Sequence, residues 1–116
     1  MNLNIECTDH PHDTTVISVE GEITFENADQ FREKLNELNA AGKHRLIVDL
    51  ARLKYMSSAG MGVLVHGLKI TRQGKGDLRL VNLSPKMRQV FLITQFTHHF
   101  TVFQSLDEAI AGFAST

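Results

Sequence analysis

The sequence is poor in several things, and each scarcity closes off a class of protein. It holds a single cysteine, Cys7, so no disulfide can form within the chain. No apolar run is long enough to span a bilayer, and the first ten residues, MNLNIECTDH, lack the basic and apolar regions of a secretion signal. Charge of one sign is not in excess: the formal net charge is −1 with His neutral, and no basic cluster points to nucleic acid or an anionic membrane. No low-complexity tract, repeat or linker interrupts the chain. These absences set the expectation of a cytoplasmic protein of one domain, residues 1–116, that binds neither nucleic acid nor membrane.

What is present is ordinary globular material. Hydrophobic residues make up 42% and charged residues 22% of 116 residues, enough to bury a core. Leu3–Cys7 alternates polar and apolar, His10–Asp13 (HPHD) is a turn, and Thr14–Glu20 is rich in β-branched residues, so the two strands are expected to pair as a hairpin. Phe31, Leu35 and Leu38 recur at helical spacing after Asn27, and Gly42 stops the pattern. Arg45–Leu50 is a short buried strand. Met61, Leu64, Val65 and Leu68 mark a second helix. Asp77–Leu83 alternates as a strand, and Ser84-Pro85 opens a third helix. His99–Phe103 is a fifth strand candidate, and Ser105 with Glu108 forms a capping box before a last amphipathic helix. The pattern predicts an α/β fold: about five strands, mostly parallel with an antiparallel N-terminal edge, and about four helices.

The most informative stretch is Leu46–Val65, where LIVDLARL runs into YMSSAGMGVLV. It places Ser57 and Ser58 where a strand hands over to a helix. A hydroxyl there can cap free N–H groups, hold an anion, or carry a phosphate that the helix dipole tolerates. Other motifs carry less. Gly60-Met61-Gly62 lacks the third glycine of a dinucleotide loop, because Val65 stands there. Gly74-Lys75-Gly76 reads as a turn. His98 and His99 point to opposite faces of a strand, and His10 and His12 have no cysteine cluster beside them, so no metal is expected. The nucleophile elbow G-x-S-x-G is absent. No enzyme activity and no cofactor is expected.

The run VDLARLKYMSSAGMGVLV resembles the signature of the STAS domain, the family of bacterial anti-sigma factor antagonists. Asp49-Leu50 matches the strand end, and Ser58, Ala59, Gly60, Met61 and Gly62 match the loop-to-helix block. Gly21–Thr24 (GEIT) resembles a further family segment, and Ala28 lies near the start of its first helix. The resemblance implies a phosphorylation switch in bacterial transcription. Ser58 falls on the phosphoacceptor. The unmodified domain would bind an anti-sigma factor that is also a serine kinase; phosphorylation would release it, and a phosphatase would reset it. Ser57 stands where the family usually has Asp, as a helix cap or second acceptor. The expected partner face is the exposed edge of the helix from Ser58 to about Leu68 with the loops around Gly21–Phe25 beside it, and comprises Gly21, Glu22, Thr24, Ser57, Ser58, Ala59, Gly60, Met61 and Leu64. Two alternatives stay open: a phosphorylation-independent scaffold, and a module that binds a nucleotide or anion at the same helix start.

Overall fold

The computed structural model describes residues 3–95 and 99–114. β1 (Leu3–His10) and β2 (Thr14–Ile23) pair antiparallel, from Leu3 opposite Gly21 to His10 opposite Thr14. The connecting turn is tight, and His12 and Asp13 both adopt positive φ, at 66° and 57°. Asp tolerates that region better than most side chains do, which suits it to this corner.

All later strands run parallel to β2. β3 (Arg45–Asp49) pairs with the first half of β2, in register from Thr15–Leu46 to Ser18–Asp49. β4 (Leu53–Met56) pairs with its second half, Gly21 to Ile23, across a bulge between Gly21 and Glu22. β5 (Asp77–Val81) lies on β3, and β6 (Val102–Phe103) on β5. The sheet order is β1-β2-β3-β5-β6. Four helices alternate with the strands: α1 (Ala28–Ala40), α2 (Ser58–Gln73), α3 (Pro85–Ile93) and α4 (Leu106–Ala114).

Strand side chains alternate between faces, so a sheet covered on both sides must be apolar at consecutive positions. This explains the LIV run. Leu46 and Val48 enter the larger core with Ile17, Leu78 and Leu80, beneath Phe31 and Leu35 of α1, Leu64 of α2 and Phe91 of α3. Ile47 faces the other way, joining Val16 and Val81 beneath Ala109 and Phe113 of α4. Full burial of each such side chain stabilises by about 1.5–3 kcal/mol, so the two layers fix the sheet register jointly.

The expected mixed sheet is present, with one strand more than the periodicity showed. β4 was hidden because only Leu53 of its four residues is buried, which leaves no alternation to detect. The fifth strand candidate, His99–Phe103, shortens to Val102–Phe103. His98 lies outside the described residues.

Candidate functional site

Because β2 and β4 are parallel and adjacent, both deliver their chains to one end of the sheet. There the Ser57 N–H donates to the Ile23 carbonyl at 2.9 Å, which ties the start of α2 to the end of β2. Ser57 itself is extended (φ −74°, ψ 171°), and its Oγ accepts from the Gly60 N–H at 3.3 Å. Its carbonyl accepts the first helical bond, from Met61 N–H at 3.1 Å. Ser57 is therefore the N-cap, and Ser58 is the first residue of α2.

Ser58 is exposed. The first turn of α2 contains no acidic residue, and its cap is neutral, so the partial positive charge of the helix start is not offset by a carboxylate of its own turn. The first turn of α2 is closely packed. A Cβ added at Gly60 would lie 2.6 Å from Met56 Cγ and 2.7 Å from Ile23 Cγ2, so the helix start sits directly on the strand ends. A Cβ at Gly62 would meet nothing within 4 Å. The loop on the other side is held by Asp49, whose Oδ1 accepts from both Ala51 N–H and Asn82 Nδ2 at 3.0 Å.

The nine residues expected to form a partner face divide in two. Glu22 and Ser58 are exposed, while Gly21, Thr24, Ser57 and Ala59 are partly so. Gly21 holds a φ of 105° at the bulge and donates to Arg52 O at 3.1 Å. Gly60, Met61 and Leu64 do not belong to the face. Met61 is 8% exposed and Leu64 wholly buried, because α2 turns these positions onto the sheet.

Two exposed aromatics stand at this end: Phe25, within the loop expected beside the helix edge, and Tyr55, which escaped sequence reasoning. Phe25 is 86% exposed and Tyr55 50% exposed. Phe25 sits in the turn between β2 and α1, and Tyr55 pairs with Glu22 across β4 and β2.

Among the described residues, three groups titrate away from their ordinary values. Burial pushes the Cys7 thiol up. A hydrogen bond from Lys43 at 2.8 Å holds the Asp9 carboxyl low. Burial first, then the charges of Arg32 and Lys69, lower the pKa of His66 further along α2. Among the described residues, no three or more His, Cys, Asp or Glu side chains gather to hold a metal ion. Gly60-Met61-Gly62 lies inside a helix, not in a phosphate-cradling loop. No described helix is long and apolar enough to cross a membrane.

A mixed sheet with helices on both faces, presenting a serine at a capped helix start, defines the class: the STAS architecture. A family model described as STAS domain matches residues 3–109. The chain belongs to the STAS domain family. It is 37% identical over 98 residues to BtrV of Bordetella bronchiseptica, a provisionally named anti-sigma factor antagonist, covering 84% of each chain. It is 36% identical over 94 residues to the anti-sigma-B factor antagonist of Bacillus subtilis, covering 81% of this chain and 84% of that one. Among solved structures it resembles the anti-sigma factor antagonist SpoIIAA in its unphosphorylated form, with TM-score 0.75, 25% identity and coverage of 97% and 98% of the two chains. The phosphorylated form of Bacillus SpoIIAA gives TM-score 0.73, 26% identity and coverage of 93% and 97%.

Proposed function

We propose that this chain is an anti-sigma factor antagonist controlled by phosphorylation of Ser58. Unmodified, it binds an anti-sigma factor that is also a serine kinase, and so frees the sigma factor. The kinase transfers the γ-phosphoryl group of ATP to Ser58 Oγ; ADP leaves, and the hydroxyl proton passes to the kinase or to solvent. A phosphatase uses water to cleave the O–P bond, releasing inorganic phosphate and restoring the hydroxyl. In this cycle the chain is substrate and ligand, not catalyst.

The observation that carries the reading is the exposed Ser58 hydroxyl on the first turn of a helix that Ser57 caps and that has no acid in that turn. A phosphate there adds roughly −1.5 to −2 charges at pH 7. The helix start compensates by about 0.3–1 kcal/mol, so the fold tolerates the group. An interface does not, because a dianion sealed against the kinase site loses its hydration beside the nucleotide phosphates. The relatives' names support the antagonist role, and SpoIIAA is known in phosphorylated and unphosphorylated forms.

The test is direct. The chain is incubated with ATP and each anti-sigma-type serine kinase of its genome, and phosphate is mapped by mass spectrometry. Phosphate is expected on Ser58 and absent from Ser58→Ala. No phosphate on Ser57 or Ser58 with any such kinase contradicts the switch.

A further inference from the structure

The turn beside the serine is built to display an aromatic side chain. Asn27 holds it from both directions: its Oδ1 accepts from Thr24 N–H at 2.8 Å, and its Nδ2 donates to Glu22 O at 2.9 Å. Thr24 adds two more restraints. Its Oγ1 accepts from Glu26 N–H at 3.2 Å, and its carbonyl accepts from Ala28 N–H at 3.0 Å. In the middle of this braced turn stands Phe25, 86% exposed. A large apolar side chain gains nothing for folding in that position, since burial is what makes such a group favourable. Fixing the backbone around it does lower the ordering cost of inserting it into a partner.

The surroundings state the chemistry of that partner. Tyr55, half exposed, stands opposite Glu22 on the neighbouring strand. Glu22 and Glu26 flank Phe25 in sequence, are exposed, and form no ion pair among the described residues. Ile23, next to Thr24, carries the carbonyl that binds Ser57 N–H, so the turn and the acceptor serine leave the same strand end. An aromatic anchor with an acidic rim fits an apolar pocket edged by Lys or Arg.

We propose that Phe25, with Tyr55 on the strand that pairs with Glu22, is the anchor by which this protein docks on its kinase, entering an apolar pocket with a basic rim outside the kinase's catalytic centre. The inference rests on the proposed function, because its occupant is the kinase that modifies Ser58. Docking and switching are then separate: the aromatic residues supply affinity, and the serine reports phosphorylation.

The experiment uses the kinase that phosphorylates the chain and measures Kd by calorimetry in ADP. Phe25→Ala is expected to weaken binding at least tenfold, and Tyr55→Ala severalfold, within the range of aromatic anchors. Leu92→Ala, an equally simple truncation of an exposed apolar residue (66%) on α3, is the control and should leave Kd within about twofold. With Phe25→Ala at saturating concentration, Ser58 should still be phosphorylated at the normal rate, with only the half-saturating concentration raised. Glu22→Gln with Glu26→Gln should slow association at low salt and flatten its salt dependence. Far-ultraviolet dichroism and the thermal midpoint confirm each variant is folded. Equal Kd for Phe25→Ala and the unaltered chain overturns the anchor while leaving the switch intact. Failure of the unaltered chain to bind or accept phosphate from any kinase overturns both.

Discussion

Two adjacent serines divide the work at the start of α2. Ser57 gives its oxygen to the Gly60 N–H, and Ser58 offers its own to solvent. Their variants should therefore separate. Ser57→Ala is expected to lower unfolding free energy in urea by about 1 kcal/mol while Ser58 still accepts phosphate. Ser58→Ala should leave stability within about 0.5 kcal/mol and abolish phosphorylation. Unchanged stability in Ser57→Ala would remove the capping role. This division was legible in the sequence, because capping depends on residues three apart in one chain. The burial of Met61 and Leu64 was legible in the same way, since both lie on the apolar face of the helix with Val65 and Leu68, whereas the exposure of Tyr55 was not, since it depends on which side of β4 meets the core. His66 links stability to pH. Its pKa is lowered in the folded state by burial and by nearby Arg32 and Lys69, so folding favours its neutral form. Its contribution is present above the unfolded value near 6.5 and is lost as pH falls through the lower folded value. His66→Gln should accordingly lose less stability than the unaltered chain between pH 7 and pH 5; parallel curves would exclude this.

At the scale of elements, α2 shows two glycines with different reasons to be small. Gly60 has no room, because a methyl group would press on Met56 and on the stiff β-branched Ile23. Gly60→Ala is expected to destabilise by about 1–3 kcal/mol through displacement of the helix start. Gly62 has open space around it, and alanine is the better helix former by about 1 kcal/mol. Gly62→Ala should therefore raise the thermal midpoint. The fold gives Gly62 no packing role. Denaturant titration of the two variants checks the opposite signs, and two losses of equal size would refute the distinction. The helices were legible in the sequence because their caps and apolar spacing are local signals. β4 was not, because its pairing with Gly21–Ile23 of β2 is a long-range contact across a bulge.

For the whole molecule, the decisive feature is that β2 to β6 all run parallel, so each helix starts at the same end of the sheet. Ser58, the turn of Phe25 and the loop braced by Asp49 and Asn82 are assembled there by topology, as crossovers in such sheets require. A modification at that end changes the surface without disturbing the two cores on either face. Phosphorylation should thus leave the thermal midpoint unchanged or raise it by a few degrees. The most direct measurement is the affinity of the purified kinase for the chain before and after stoichiometric phosphorylation of Ser58, at constant salt. A loss of about a hundredfold or more is expected, with the folded state intact. Equal affinity of the two forms would contradict the switch.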